Sequence, residues 1–275
     1  MKINNIEEAL NESQKCGLSL KDIPKSLITA DVLDNAIKQN GLALEFVPKK
    51  LKTEAICLES VKQNGLALEF VPKKLKTIEI ISEAVKQNGL ALKFGKKADY
   101  ETMLEAVKQS GFALKYIPKT KRVKELCANA VKQNSMALQY VPKKQKSASM
   151  CLDAVKRSPF AVSFVPKALK TSQLCAEAVK RNKWVFIEFD KEFKTPQVSK
   201  AAVEKDGIFL EFVPKKSKTP EVCMCAVKND GLALGFVPKD LRTKEVCIEA
   251  VKQHGRMLKY IPDKFKDDCR NLLLK

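Results

Sequence analysis

Nine cysteines are the first residues of this chain whose spacing can be tested for chemistry. A zinc site usually requires cysteines paired about two to four residues apart, with further cysteine or histidine ligands nearby. Cys223-x-Cys225 is the closest pair, and the chain has a single histidine. We therefore predict neither a metal site nor a cofactor.

Six cysteines instead recur in one column, by which we mean the equivalent positions of successive 24-residue repeats. Other repeats place Leu33, Ile81 or Met103 there. Free cysteine packs like a small apolar side chain, so the pattern predicts reduced thiols buried between helices and a cytoplasmic location. The column contains Cys57, Cys127, Cys151, Cys175, Cys223 and Cys247.

Catalytic motifs are not apparent in this sequence. His254 replaces the asparagine of a recurring Gln-Asn-Gly turn, which indicates a surface residue rather than a general base. We find no glycine-rich phosphate loop, nucleophile elbow or recurring carboxylate pair. We therefore predict a protein that is not an enzyme and has no catalytic residues. An enzyme or enzyme inhibitor with a site near Trp184 is a third interpretation.

Lysine is the most informative charged residue, because the chain has 51 Lys and Arg but 32 Asp and Glu, which gives a formal charge of +19. Such a charge attracts acidic proteins, nucleic acid or anionic surfaces, although it also keeps a repeat array soluble. The lysines fall into three columns. The first contains Lys38, Lys62, Lys86, Lys108, Lys132, Lys156, Lys180, Lys228 and Lys252; the second Lys49, Lys73, Lys119, Lys143, Lys167, Lys191, Lys215 and Lys239; the third Lys52, Lys76, Arg122, Lys146, Lys170, Lys194, Lys218, Arg242 and Lys266. We expect all three to face solvent.

The repeat that carries these columns has one apolar marker before each lysine of the first column, running from Ile37 to Val251. Every step is 24 residues except the 22 between Val85 and Val107. We predict one continuous domain with an N-terminal partial repeat (1–28), a repeat array (29–262) and a C-terminal capping helix (263–275). Incomplete end units suit the caps that a solenoid requires.

Each repeat begins with a helix, which a residue such as Thr53 caps eight positions before the marker. Only Val123 breaks the capping column. Pro196 and Pro220 follow their threonines at the first helical position, where proline is favoured. A glycine such as Gly41 follows the helix, and we expect it to adopt the left-handed conformation that closes many helices.

The second segment of the repeat, 42–47 and its equivalents, could be a short helix or a strand buried on both faces. Ala43 and its equivalents are always apolar, whereas the position of Glu45 varies freely. A helix that buries Leu42, Ala43, Phe46 and Val47 fits this pattern better. Pro48 then ends the segment by excluding the residue before it from the helical region.

Aromatic residues recur at the Phe46 position, where they could stack on nucleic-acid bases or pack in the core. Their place inside an apolar segment favours the core, with tyrosine hydroxyls reaching solvent. The column contains Phe46, Phe70, Phe94, Tyr116, Tyr140, Phe164, Phe212, Phe236 and Tyr260.

The unit resembles the repeat of the family called domain of unknown function 4116. The matching residues are SVKQNGLALEF at 60–70, AVKQNGLALKF at 84–94 and AVKQSGFALKY at 106–116. The resemblance implies short paired helices in an all-α array and implies no activity. The Val-Pro-Lys-Lys that follows the aromatic residue departs from the family pattern toward higher basicity.

The pattern is irregular in the middle of the chain. Ser135, Pro159 and Lys183 replace the glycine in three successive repeats, and Lys183 is followed by the single tryptophan. Either the sequence has drifted with altered curvature, or a local break shapes a binding surface. The second interpretation places that surface near Trp184, Phe186, Phe189 and Phe193.

Together these patterns predict an all-α solenoid of about ten two-helix repeats that works as a non-enzymatic scaffold. The expected partner is an acidic protein or peptide, and the alternative is sequence-independent RNA or DNA binding. Self-association is possible, membrane insertion is not expected, and delivery into another cell through an uncleaved signal stays open. The expected partner-binding residues are Lys62, Lys86, Lys108, Lys132, Lys156, Lys180, Trp184, Phe186 and Phe189.

Overall fold

A computed structural model describes residues 3–273, and within that range it contains helices and no strand. Most repeats consist of an α-helix of ten residues, a six-residue 3₁₀ helix and a three-residue 3₁₀ turn. The predicted all-α helical-repeat solenoid is therefore confirmed. The second helix of the repeat is a 3₁₀ helix rather than an α-helix.

The α-helices are α1 (Ile6–Lys15), α2 (Ala30–Gln39), α3 (Glu54–Gln63), α4 (Ile78–Gln87), α5 (Tyr100–Gln109), α6 (Lys124–Gln133), α7 (Ala148–Arg157), α8 (Ser172–Arg181), α9 (Pro196–Val203), α10 (Pro220–Asn229), α11 (Lys244–Gln253) and α12 (Asp263–Leu273). The longer 3₁₀ helices are Gly17–Asp22, Gly41–Phe46, Gly65–Phe70, Gly89–Phe94, Gly111–Tyr116, Ser135–Tyr140, Pro159–Phe164, Lys183–Phe186, Gly207–Phe212, Gly231–Phe236 and Gly255–Tyr260. The three-residue turns are Lys25–Leu27, Lys49–Leu51, Lys73–Leu75, Lys119–Lys121, Lys143–Gln145, Lys167–Leu169, Lys215–Ser217 and Lys239–Leu241.

The chain forms two compact units, one that ends at Gln145 and one that begins at Lys146. We call them the N-terminal unit and the C-terminal unit. Within each unit, α-helices of neighbouring repeats pack on one another and on the adjacent 3₁₀ helices. That 29–262 is one continuous solenoid between caps at 1–28 and 263–275 stays a prediction.

Side-chain capping fixes where the α-helices begin. The hydroxyl of Thr53 accepts a hydrogen bond from the backbone N–H of Ile56 at 3.3 Å, which satisfies one of the orphan donors at the helix start. Val123 makes no such bond, as predicted. Pro196 and Pro220 occupy the first position of α9 and α10, as predicted.

The α-helices end differently from the sequence prediction. Asn64 follows α3 in an extended conformation, and its side-chain oxygen accepts from the N–H of Leu66 at 3.0 Å. No described glycine has a positive φ, so the predicted left-handed closing residue is wrong. Gly65 is needed for space instead, because a Cβ there would overlap the carbonyl oxygen of Ala84 in the next repeat.

The buried face of the 3₁₀ helices also differs from the prediction. Ala43, Leu44 and Val47 are buried, whereas Leu42 and Phe46 are only half-buried. A 3₁₀ helix has three residues per turn, so Leu44 and Val47 lie on one ridge. Leu42 and Glu45 lie together on a ridge that faces solvent.

Candidate partner-binding surface

The six lysines predicted to bind a partner, Lys62, Lys86, Lys108, Lys132, Lys156 and Lys180, are all exposed in the last turn of their α-helices. Carboxylates lie among the lysines of this first column. Lys38 pairs with Asp34 at 2.7 Å. The hydrogen bond that Lys86 donates to Glu83 raises the pKa of Lys86, and the charge of Glu105 in the next repeat adds a smaller contribution. Where these carboxylates lie, the first column is a mixed-charge surface.

A denser basic surface borders the 3₁₀ turns of the N-terminal unit. Lysines recur there in close pairs with no acidic residue between them, and every one is exposed. Within residues 3–273, none of them forms an ion pair. We call this surface the lysine rim, and it consists of Lys49, Lys50, Lys73, Lys74, Lys96, Lys97, Lys119, Lys121, Lys143 and Lys144.

The equivalent turns of the C-terminal unit are less basic. Ala168, Glu192 and Asp240 replace the second lysine of the pair in three repeats. Lys167 forms an ion pair with Glu192 at 2.9 Å. The concentration of unpaired lysines is therefore a feature of the N-terminal unit.

The third lysine column is structural, and the expectation that it faces solvent is wrong. Lys52 is half-buried and donates to the carbonyl oxygen of Phe70, 18 residues further on, at 3.1 Å. Burial is the main cause that lowers the pKa of Lys52, Lys76 and Lys218. These cations join one repeat to the next and satisfy carbonyl groups at the ends of 3₁₀ helices.

Arg122 makes the most extensive set of these contacts. Its guanidinium donates to the carbonyl oxygens of Ile117 at 2.8 Å, Lys115 at 3.1 Å and Tyr140 at 2.6 Å. Arginine suits this position because its planar group presents several donors in fixed directions. Arg242 bonds Val237 and Tyr260 in the same way in the C-terminal unit.

Amide side chains at the ends of α-helices form a second connection between repeats. The Gln109 side-chain oxygen accepts from the Gly89 N–H at 2.9 Å, and its amide nitrogen donates to the Lys86 carbonyl oxygen at 3.0 Å. We call the set of such residues the amide ladder. Its other members that bond the glycine of the preceding repeat are Gln133, Asn229 and Gln253.

Sequence reasoning missed the amide ladder, although the chain contains a signal for it. In the C-terminal unit, Pro159 and Lys183 replace the glycine, and one repeat later Arg181 and Lys205 replace the amide. Proline has no N–H to donate, so an amide at the position of Arg181 would lack its usual partner. Glycine and amide are therefore kept or lost as a pair.

A row of apolar side chains on the outer ridge of the 3₁₀ helices was also missed. Leu66, Leu90 and Phe112 are 37%, 38% and 38% exposed, whereas the sequence predicted that residues at this repeat position are buried. We call these three residues and the equivalent Leu42 and Met136 the apolar stripe.

The aromatic column lies beside the apolar stripe and is only partly core, because most of its rings are half-buried. The rings of Phe112 and Tyr140 are 6.3 Å apart in an edge-on arrangement, so the stripe of one repeat contacts the aromatic residue of the next. The Lys93 ammonium lies 5.0 Å from the Phe94 ring centroid. Cations therefore lie over the exposed parts of these rings.

The aromatic residues near the irregular repeat separate into surface and core. Trp184 is 58% exposed and packs against Phe209, with ring centroids 5.3 Å apart. Phe186 and Phe189 are 0% and 6% exposed, so the hypothesis that they contact a partner is corrected. They fill the core of this repeat. Phe193 is half-buried, and the Lys170 ammonium lies 5.1 Å from its ring centroid.

The cysteine column is buried in every repeat that carries it, as predicted. Burial raises the pKa of Cys127, Cys175, Cys223 and Cys247 to about 11, so these thiols are protonated near neutral pH. Cys16 is exposed. Among the described residues, no group of three His, Cys, Asp or Glu side chains could hold a metal ion.

His254 lies near Asp230, with Nε2 3.6 Å from a carboxylate oxygen. Both residues occupy the asparagine position of successive repeats, so this pair is a contact between neighbouring turns. Within residues 3–273, no helix is long and apolar enough to cross a membrane.

Comparison with family models finds one family along this chain. The model described as domain of unknown function (DUF4116) matches residues 53–98, 77–120, 99–146, 195–242 and 219–266. No curated protein and no solved structure matches the chain. The matched segments cover more than half of the 275 residues. The chain therefore belongs to the DUF4116 family of helical-repeat proteins.

Proposed function

We propose that this helical-repeat scaffold binds an acidic segment of a protein partner and acts by binding rather than by catalysis. The observation that carries the proposal is the lysine rim of the N-terminal unit, whose lysines are exposed and form no ion pair in the described range. Negative charge on the partner would raise the rate of association with the rim and orient the partner on it.

The uneven distribution of lysine supports binding over solubility alone. A surface that serves only solubility gains nothing from concentrating lysine pairs in one unit. The equivalent turns of the C-terminal unit contain Ala168, Glu192 and Asp240. The third column is engaged within the fold, as Lys52 and Lys218 illustrate. The rim is thus the basic surface with the fewest internal partners.

A protein partner fits this surface better than nucleic acid. The apolar stripe lies on the exposed ridge of the 3₁₀ helices in the same unit. Cations are the main contacts of a nucleic-acid phosphate backbone, and an exposed leucine cannot form such a contact. Nucleic acid is kept as an alternative, because lines of lysine can also neutralise phosphates.

Affinity capture from a native lysate tests the proposal. We expect the wild-type chain to retain an acidic protein both before and after nuclease treatment. The variant Lys73→Glu/Lys74→Glu/Lys96→Glu/Lys97→Glu should lose about tenfold or more in affinity for the captured protein, because attraction becomes repulsion. The matched control is Lys191→Glu/Lys215→Glu/Lys216→Glu/Lys239→Glu, which reverses the same number of exposed lysines in the equivalent turns of the C-terminal unit and should retain binding.

A separate variant tests the first lysine column. Reversal of Lys62, Lys86, Lys108 and Lys132 to Glu should weaken binding less than reversal of rim lysines. Loss of all captured material after nuclease, with a steep fall in affinity as salt rises, would favour the nucleic-acid alternative. Retention of the protein by the rim variant would remove the rim from the proposal.

A further inference from the structure

The apolar stripe is a repeated exposure of large side chains that packing alone does not require. Leu66, Leu90 and Phe112 each leave more than a third of their surface in solvent. The adjoining outward position holds Glu69, Lys93 and Lys115, so polar residues are accepted on the same ridge. These side chains occupy equivalent positions of successive repeats, and exposed apolar patches often mark interaction sites in soluble proteins.

The stripe is connected to the lysine rim through two intermediate layers. Phe112 packs on Tyr140, which is in the aromatic column. The Lys76 ammonium of the third column lies 5.9 Å from the Phe94 ring centroid. After burial, the charge of Lys73 in the rim contributes to lowering the pKa of Lys76. One aromatic ring and one third-column ammonium group therefore separate the stripe from the rim.

The repeat sets the spacing that such an occupant must match. Packed helices lie roughly 8–10 Å apart, which gives the approximate distance between equivalent residues of adjacent repeats. An extended or polyproline II chain advances about 3.1–3.3 Å per residue, so about three of its residues span one repeat. The stripe provides equivalent contacts in successive repeats of the N-terminal unit.

We propose that the apolar stripe and the lysine rim together bind an extended acidic segment with a large apolar side chain at every third position. The apolar side chains pack on Leu66, Leu90, Phe112 and their equivalents, and the carboxylates between them reach the rim. This inference rests on the proposed function and specifies the pattern of its ligand.

Synthetic peptides test the pattern directly. The probe is a fluorescent peptide of about fifteen residues built from Leu-Asp-Glu triplets, long enough to span about five repeats. It is titrated with the full chain by fluorescence anisotropy at about 0.15 M salt. One comparison peptide has serine in place of leucine, and another has the same composition with its leucines in a single block. We expect both comparison peptides to bind at least about tenfold more weakly.

Protein variants provide the second arm. Leu66→Ser/Leu90→Ser/Phe112→Ser should weaken the triplet peptide by at least about tenfold while leaving the serine peptide unchanged. Ile78→Ser is the matched control, because Ile78 is 52% exposed at the start of α4 and lies outside the stripe. Circular dichroism and thermal unfolding check that each variant is folded. If the triple variant does not fold, the peptide comparisons decide alone.

The possible results separate this inference from the proposed function. Equal affinity for the triplet and serine peptides overturns the stripe while leaving acidic-segment binding in place. Equal affinity for the two leucine-containing peptides overturns the three-residue spacing. If a uridine oligonucleotide of similar length binds and neither leucine-containing peptide does, both the inference and the proposed function fail. The inference also fails if the triplet peptide does not bind.

Discussion

The side chain of Gln109 occupies both backbone groups that the preceding repeat leaves open near Gly89. Its oxygen accepts from the Gly89 N–H, and its nitrogen donates to the carbonyl oxygen of Lys86. One side chain thus satisfies two groups of another repeat, and both would otherwise require water.

Gln109→Ala should lower the free energy of unfolding by about 1–3 kcal/mol, because a part-buried donor and an acceptor lose their partner. The measurement is chemical denaturation followed by circular dichroism. Gln139→Ala is the control, since Gln139 bonds the carbonyl oxygen of Met136 within its own turn. Equal effects of the two substitutions would contradict a bridging role for Gln109.

Gly65→Ala should destabilise the fold by about 1–3 kcal/mol or more, because the new Cβ would overlap the Ala84 carbonyl oxygen. Gly235→Ala is its counterpart, because the nearest atom to a new Cβ there is 3.9 Å away, in Tyr260. That substitution should be neutral or stabilise by up to about 1 kcal/mol, since it restricts the unfolded chain. Melting temperatures of the two variants should move in different directions or by clearly different amounts.

Arg122→Met should cost about 2 kcal/mol or more, because three carbonyl oxygens lose a charged donor. Lys121→Met, in the adjacent exposed position of the rim, should change stability by less than about 0.5 kcal/mol. Urea unfolding of both variants makes the comparison. A small effect at Arg122 would mean that its contacts contribute little beyond what water supplies.

These contacts show what a single sequence can and cannot reveal. The α-helices, their caps and the cysteine column were predictable because they depend on order within one repeat. Lys76 was misassigned because its carbonyl partner, Phe94, lies 18 residues away and becomes a neighbour only when repeats stack. Gly65 was predicted to adopt a left-handed conformation. Glycine is required there instead because a side chain would overlap the next α-helix.

The candidate site was less predictable than the fold. Whether Leu66 and its equivalents are exposed depends on whether the second segment is a 3₁₀ helix or an α-helix, because the two differ in residues per turn. The hydrophobic pattern of the segment is compatible with both. Phe186 and Phe189 were placed on the surface because they follow Trp184 in an irregular repeat. Burial in that repeat depends on local packing that the regular columns do not describe.

Phe186→Ala should cost about 3–5 kcal/mol, because it opens a cavity at a fully buried position. Trp184→Ala should cost much less, about 1 kcal/mol, since the indole is mostly exposed and loses chiefly its contact with Phe209. Thermal unfolding of both variants tests this order. A larger loss of stability in Trp184→Ala than in Phe186→Ala would mean that Trp184, and not Phe186, is the core residue of this repeat.

Cys16 and the buried cysteine column should react at different rates with iodoacetamide at pH 8. Cys16 is exposed and should be labelled first. An ordinary thiol with a pKa of 9.0 is about a hundredfold more ionised at that pH than Cys127 or Cys175, whose pKa burial raises to about 11. Mass spectrometry should find the buried column labelled only after guanidinium unfolding. Rapid native labelling of Cys127 would show that the repeats open readily.

The missing rungs of the amide ladder have a consequence for cooperativity in the C-terminal unit. In a repeat protein, each repeat is stabilised by its own contacts and by coupling to its nearest neighbours. Amide bridges join Gly207 to Asn229 and Gly231 to Gln253, whereas Arg181 and Lys205 occupy the equivalent positions earlier in the unit. Around α8 and α9, nearest-neighbour coupling therefore depends on helix packing and on other contacts, such as the ion pair between Lys183 and Asp206 at 2.7 Å.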